Sequence, residues 1–447
     1  MTVTRPLLLD LYQLTMAQSY FALGMNDCAV FELFVRSLPR NRGFLVAAGL
    51  AQALEYLEGL RFGSADLDFL ASLDLFSPEF LKCLGTFRFS GSVHAMPEGT
   101  PFFAQEPILR VTAPILEAQL VESRILNTVH FQTVIASKAA RCALAAGGRQ
   151  LVDFGLRRAH EADAGLYAAR AAYVGGFHAT ATVEAGQRFG IPLSGTMAHS
   201  FIEAQAREEE AFRNFAATYR GAATLLIDTY DTERAARRVA ELVHELRKAG
   251  SSRHIRAVRI DSGDLARECR AVRHILDSLG CQDIQIVVSG GLDEYAIEDL
   301  VRNAVPVDAF GVGTALDVSA DAPALDMAYK LQEYAGKARR KRSPGKATWP
   351  GVKQVFRERG AQRQIMRDEV ALAEEAVAGE GLLVEVMRDG RSVRPPPALA
   401  QIRARCLSEL SALPPQVREL GEGVGSVPVR ISDALRALAA QLDAEVG

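Results

Sequence analysis

The sequence predicts an α/β protein, an irregular barrel of about seven parallel strands joined to an N-terminal mixed α/β domain, and three observations predict it. Short apolar runs at 150–153, 175–180, 191–196, 224–228, 255–261, 284–289 and 307–311 each stop at a polar or glycine-rich corner and lead into a helical pattern. That is the rhythm of parallel strands joined by crossover helices. The reactive side chains fall at those corners rather than inside the runs: Asp153, Phe154, Arg157, His199, Asp228, Asp261, Gly290 and Thr314. Ligands of α/β sheets bind at the carboxyl ends of the strands. The length, 447 residues, exceeds the ~250 to 300 residues at which single cores stop growing, so a barrel-sized body with additions is expected. An open doubly wound sheet is the alternative. The expected division is an N-terminal α/β domain over 1–130 and a barrel over 131–335. Residues 336–447 would then form a basic loop and a C-terminal segment packing back on the N-terminal domain.

Composition narrows the class. Lys and Arg number 51 against 54 Asp and Glu, a formal net charge of -3, so there is no basic field for nucleic acid and no acidic excess of a disordered chain. The six cysteines, Cys28, Cys83, Cys142, Cys269, Cys281 and Cys406, contain no CxxC pair, which argues against a zinc site and a secreted disulfide framework. The Leu7-Leu8-Leu9 run is too brief for a signal segment, and no apolar run approaches ~20 residues. The expectation is a cytoplasmic protein with reduced thiols and no membrane span.

Along the chain, 11–24 has helical spacing behind Asp10, a candidate N-cap or ligand contact. The 29–36 segment, AVFELFVR, reads as a strand, and the LPRNRGF that follows gathers Arg36, Arg40 and Arg42 around a turn. Such a cluster suits an anion or a solvated loop. Residues 44–59 read as an amphipathic helix, 64–84 as short helices, 86–94 and 108–116 as strands, and 116–145 as a long helix. The basic loop 338–351, ARRKRSPGKATWPG, is too short for a nucleic-acid surface, but its cations could cover phosphates at a cleft mouth. A proline-rich linker at 390–397 precedes terminal helices over 398–410 and 431–442.

The stretch 190–202, GIPLSGTMAHSFI, places His199 where an apolar run ends and a helix begins, a position for a titratable, nucleophilic imidazole. Two glycine corners, VSGGLDEYAI and FGVGTALD, have backbone N–H groups with a helix N-terminus behind them, the makings of a phosphate cradle. Neither fits a Walker loop or G-x-G-x-x-G. Asp228, Asp231, Asp261 and Asp264 could hold Mg²⁺ directly or through water, while helix capping explains Asp231 and Asp264 equally well. The Glu208-Glu209-Glu210 run reads as a wet helix face.

Taken together, DLYQLTMAQ (10–18), FELFVR with LPRNRGF (31–44), DFGLRRAH (153–160), GGFHATATVEAG (175–186), SGTMAHSFI (194–202), IDTYDT (227–232), VRIDSGDL (258–265), VSGGLDE (288–294), FGVGT (310–314) and GKATWPGVKQVFR (345–357) closely resemble the nicotinate phosphoribosyltransferase family. The resemblance runs in order over about residues 8 to 357. It implies a type II phosphoribosyltransferase, a homodimer with shared active sites, that joins nicotinate to phosphoribosyl pyrophosphate with ATP hydrolysis coupled to the reaction, for NAD synthesis. It implies further that His199 is the phosphorylated histidine, that Tyr12 and Phe154 sandwich the pyridine ring, and that Thr196 and Arg259 meet the nicotinate end. Asp228 would lie beside His199 and the sugar, and Asp261 would contact ribose or Mg²⁺ carried by the diphosphate. Gly290, Gly291, Gly313 and Thr314 would hold the phosphoribosyl phosphate, with Arg36, Arg157, Lys330 and Lys346 around the pyrophosphate.

Nicotinamide-using relatives carry Asp where this chain has Ala181, which favours the acid over the amide. The rival readings are a nicotinamide- or quinolinate-using enzyme and a non-catalytic phosphosugar-binding barrel in which His199 is structural.

Overall fold

The computed structural model describes residues 5–421 and 423–445. Two compact units emerge: one takes in the chain up to Ser137 and again from Ala324 onward, the other runs from Lys138 to Pro323.

The 138–323 unit is built on a six-stranded parallel sheet. In spatial order its strands are Ala179–Thr180, Gln150–Asp153, Ala309–Val312, Gln285–Val288, Ile255–Ile260 and Ala223–Leu226. Val258, Ile260, Ile286, Val288, Phe310 and Val312 are fully buried, the pattern of strands covered by their crossover helices. Those helices, Thr232–Lys248, Leu265–Ser278 and Glu294–Arg302, each begin on an aspartate. Asp231, Asp264 and Asp293 accept from the backbone N–H of Arg234, Arg267 and Ala296 at 2.9, 3.1 and 2.8 Å, caps worth about 1 kcal/mol each. Asp231 and Asp264 are thereby assigned to capping.

The expected strand at 191–196 does not form, so the sheet has six strands rather than seven. Pro192 has no N–H to give a ladder. Its one ladder contact among the described residues is with Thr180: Thr180 N–H donates to the Pro192 carbonyl and Ser194 N–H to the Thr180 carbonyl, both at 3.0 Å. The chain then stays irregular up to the short helix His199–Glu203.

The other unit contains a seven-stranded antiparallel sheet, ordered Lys337–Ala338, Met327–Tyr334, Cys28–Val35, Pro107–Pro114, Ser92–Ala95, Val384–Arg388 and Arg391–Ser392. A four-stranded sheet of Glu380–Gly381, Lys353–Arg359, Ile365–Leu372 and Val429–Ile431 accompanies it. Helix Leu11–Ala22 starts at Asp10, whose N–H donates to the Gln13 side chain at 3.0 Å, while its carboxylate accepts from Ser123.

The helix expected over 44–59 begins only at Leu50. Leu45–Val46 instead pairs with Pro101–Phe102. Gly49 takes φ +94, and a Cβ there would lie 2.8 Å from the Thr128 carbonyl oxygen; a left-handed residue in so close a contact ends one element and starts the next.

This unit buries charge as matched pairs. Lys353 Nζ lies 2.8 Å from Glu32, and Arg357 reaches Asp368 through Nε at 2.9 Å and Nη2 at 2.5 Å, with Arg357 and Asp368 fully shielded from solvent. Buried ions of this kind are tolerated only when paired and hydrogen-bonded. Among the described residues no helix is long and apolar enough to cross a membrane, and the six cysteines are all unpaired.

Candidate active site

At the carboxyl ends of the parallel strands lies a cavity of about 740 Å³ within the 138–323 unit. Each corner reaches it for a local reason. Asp153, at the end of its strand, accepts from Gly155 N–H at 2.8 Å and from Thr180 Oγ1 at 2.7 Å. That turns the chain and presents Phe154 and Arg157 to the cavity. Gly290 takes φ +92, and a Cβ there would sit 2.0 Å from the Asp261 carbonyl oxygen, so only glycine lets the Gly290-Gly291 corner close against the neighbouring strand end. Gly313 and Thr314 open the short helix Thr314–Asp317. Their N–H groups and those of Gly290-Gly291 make the anion-receptive part of the wall.

Another part of the wall is aromatic and cationic. The Arg259 guanidinium stands 5.9 Å from the Phe154 ring centroid, donates to Thr196 Oγ1 at 2.6 Å and lies 3.7 Å from Asp261 Oδ1. Burial lowers the Arg259 pKa, with Asp261 and Asp228 acting in the other direction, and its Nε is buried without a hydrogen-bond partner. A guanidinium in this state has donor capacity for an incoming carboxylate.

His199, one of the more open side chains here at 38% exposure, has Nδ1 3.1 Å from Thr229 Oγ1 and Nε2 4.0 Å from Asp261 Oδ2. Asp261 in turn accepts from the Ser289 hydroxyl. Asp228 stands behind the wall, accepting through Oδ2 from Asp261 N–H at 2.9 Å and Ser262 Oγ at 2.6 Å, and leaving Oδ1 buried without a partner.

The cavity therefore brings together Phe154, Arg157, Thr196, His199, Arg259, Asp261, Gly290, Gly291, Gly313 and Thr314, with Ala181 beside them. Tyr12, Arg36, Lys330 and Lys346 belong to the other unit. There Arg36 holds Asp326 at 2.6 Å and Lys330 lies 3.5 Å from Glu122. Tyr12 is pushed up to about 12 by burial first and by Glu122 second. Lys346 is exposed on the basic loop. Arg42 is not part of an open anion cluster: it is buried and donates to the Val134 carbonyl at 3.1 Å. Nor is Glu208 on a wet face, since it is buried against Arg238 at 2.7 Å.

Thr229, Ser262 and Ser289 escaped the sequence reading. Ser262 and Ser289 donate to the Asp228 and Asp261 carboxylates of neighbouring strand ends, and the Thr229 hydroxyl meets the His199 imidazole. The motifs IDTYDT, VRIDSGDL and VSGGLDE contained them, but nothing in spacing singles out a hydroxyl. Among the described residues there is no group of three or more His, Cys, Asp or Glu side chains placed to hold a metal ion.

A ligand-sized cavity at the strand ends, with an arginine over an aromatic ring and two glycine corners in its wall, defines an α/β protein with a small-molecule site. Three family models cover the chain: the nicotinate phosphoribosyltransferase N-terminal domain over 7–130, the nicotinate phosphoribosyltransferase family over 149–340 and its C-terminal domain over 375–439. The chain belongs to the nicotinate phosphoribosyltransferase family. It is 48% identical over 429 residues to a nicotinate phosphoribosyltransferase of Mycobacterium tuberculosis, covering 95% of this chain and 91% of that one. It is 41% identical over 355 residues to the Bacillus subtilis protein of that name, covering 78% and 72%. The crystal structure of human nicotinic acid phosphoribosyltransferase superposes with a TM-score of 0.87 at 30% identity, over 97% of this chain and all of that one.

Proposed function

We propose that the protein transfers the phosphoribosyl group of phosphoribosyl pyrophosphate to nicotinate, forming nicotinate mononucleotide and pyrophosphate for NAD synthesis, with ATP hydrolysis coupled through a phosphohistidine at His199. The single observation that carries this reading is the 740 Å³ cavity whose wall holds both the Arg259–Phe154 pair and the corners Gly290, Gly291, Gly313 and Thr314. Arg259 and Thr196 would bind the nicotinate carboxylate and Phe154 would stack on the ring. Ala181 offers no carboxylate to accept an amide N–H or repel the acid, which favours nicotinate over nicotinamide.

In the transfer step the C1–O bond to pyrophosphate breaks with its electron pair leaving on the pyrophosphate, and the pyridine nitrogen closes the C1–N bond. No protein nucleophile is consumed, so positioning and charge stabilisation supply the catalysis. The glycine corners would hold the sugar phosphate, and Arg157, with Arg36, Lys330 and Lys346, the pyrophosphate. Mg²⁺ fits this site as an ion brought by the diphosphate, with Asp261 as its protein contact, and it would offset the charge of the leaving group.

His199 would take a phosphoryl group from ATP, releasing ADP, and later lose it to water as phosphate. Thr229 would hold the imidazole orientation and Asp228 would fix the Asp261 loop through its N–H. We further propose an irregular barrel built on the six-stranded sheet, with domains over 1–130, 131–335 and 336–447. A cytoplasmic homodimer would complete each site with residues such as Tyr12. The test is product formation from nicotinate or nicotinamide with phosphoribosyl pyrophosphate and Mg²⁺, with and without ATP. Nicotinate mononucleotide formed faster with ATP is expected; no product from nicotinate under any condition would contradict the reading.

A further inference from the structure

Beneath the cavity floor lie two carboxyl groups that the chemistry above does not use. Asp153 and Asp317 are 1% and 2% exposed. Each Asp153 oxygen accepts one hydrogen bond, from Gly155 N–H and from Thr180 Oγ1, and keeps room for another. Asp317 ends the helix that starts at Gly313-Thr314, and its carboxyl packs directly on Gly155, where an added Cβ would fall 2.1 to 2.4 Å from its atoms. Neither Asp317 oxygen has a hydrogen-bond partner, so the only hydrogen available to join the two carboxyls is a proton held by the pair itself. The elements packed on this helix are the turn Leu156–Arg158 and the helix Ala162–Val174. They bring Arg157, Arg158, Asp163 and Arg170 to its neighbourhood, and none of these donates to Asp317.

We propose that Asp153 and Asp317 share one proton, and that this protonated pair is a positioning device clamping the Phe154–Arg157 corner to the Gly313–Thr314 corner. The link spans the cavity wall: Asp153 also fixes Thr180, whose Oγ1 accepts from Thr182 N–H at 2.9 Å and so shapes the Ala181 corner. Three lining segments thus meet at one carboxyl pair. Burial first, and the charge of Asp153 second, push Asp317 up to about 9. Burial raises Asp153 as well, but the Thr180 hydroxyl and the Gly155 N–H hold it down, which puts the proton on Asp317, as in other carboxyl pairs that cannot both ionise.

The sign follows from linkage. Asp317 titrates near its ordinary value, about 4, in the unfolded chain and near 9 when folded. The folded state therefore binds the extra proton between these values, and stability falls as pH rises through that window. Asp317→Asn keeps a donor toward Asp153 and cannot ionise. Its Tm advantage over the unsubstituted protein should widen steadily from pH 5 to about 9 and then stop widening. Parallel Tm curves for the two proteins across that range would overturn the shared proton.

The positioning half rests on the phosphoribosyltransferase reading, and the KM for phosphoribosyl pyrophosphate tests it. The KM should climb above pH about 9 in the unsubstituted enzyme and stay level in Asp317→Asn. Asp317→Leu, which removes charge and donor together, should raise it roughly tenfold or more at every pH, a size that misplaced supporting groups produce. Asn restoring what Leu loses supports the clamp, whereas Leu and Asn behaving alike would overturn it. If Leu fails to fold, the Asn pH profiles decide alone. Absence of any product from nicotinate would sink the functional reading, while the Tm curves would still settle the pair.

Discussion

The buried ion pairs of one unit and the cavity of the other treat charge in opposite ways. In the unit that joins the start and end of the chain, buried ions are closed on one another: Lys353 on Glu32 at 2.8 Å, and Arg357 on Asp368 through two nitrogens. In the 138–323 unit the cavity charges are held loosely. His199 Nε2 is 4.0 Å and Arg259 Nη2 3.7 Å from Asp261, and Arg259 Nε has no partner. A pair shut away from solvent cannot meet a ligand and serves cohesion; a loosely engaged ion on a cavity wall keeps donors for a ligand at some expense in stability.

Substitutions in the two places should therefore separate stability from turnover. The largest effect is expected at Arg357→Ala, which strands the shielded Asp368 carboxylate and should remove about 3–5 kcal/mol of unfolding free energy, read from denaturant midpoints. A shift below about 1 kcal/mol would mean the closed pair is not cohesive. Arg259→Ala should leave the midpoint nearly where it was and raise the nicotinate KM roughly 30-fold, about 2 kcal/mol, with the KM for phosphoribosyl pyrophosphate little changed. Equal effects on both substrates would contradict its placement at the carboxylate.

Gly290→Ala forces a Cβ against the Asp261 carbonyl at φ +92. It should shift the glycine corner and weaken phosphoribosyl pyrophosphate more than nicotinate, by roughly tenfold; unchanged kinetics would remove that corner from the phosphate site. The smallest effect is expected at Thr229→Val, which keeps shape but deletes the hydroxyl beside His199 Nδ1. A loss of about 1 kcal/mol, near fivefold in the ATP-stimulated rate alone, would sharpen the contrast, and an equal loss without ATP would blur it.

Much of this contrast could be read from the sequence on one side only. The parallel-sheet corners were legible because buried strands make mainly apolar runs that end where most of the reactive residues begin, as at Ile260-Asp261 or Val288-Ser289-Gly290. The 191–196 strand was misread because Ile191 and Leu193 look like sheet residues while Pro192 denies them a ladder. Lys353–Arg359 was quoted only as a motif. Its sequence, KQVFRER, has the charge of a surface strand, and only the partners Glu32, 321 positions away, and Asp368, on the paired strand, reveal that Lys353 and Arg357 are interior. The hydroxyls of Thr229, Ser262 and Ser289 were invisible for the same reason, since orienting an imidazole or a carboxylate leaves no mark on spacing. Asp317 was hidden more deeply, as its role depends on contact with Gly155 from a separate strand.

The most direct test of the central claim uses ATP labelled at its γ-phosphate, mixed with the full chain and quenched under conditions that preserve phosphohistidine. The account predicts label on the protein, discharged when nicotinate and phosphoribosyl pyrophosphate are added, and absent from His199→Ala, which should retain only slow transfer that ATP does not speed. Label retained by His199→Ala, or an undiminished ATP effect in that variant, would contradict it.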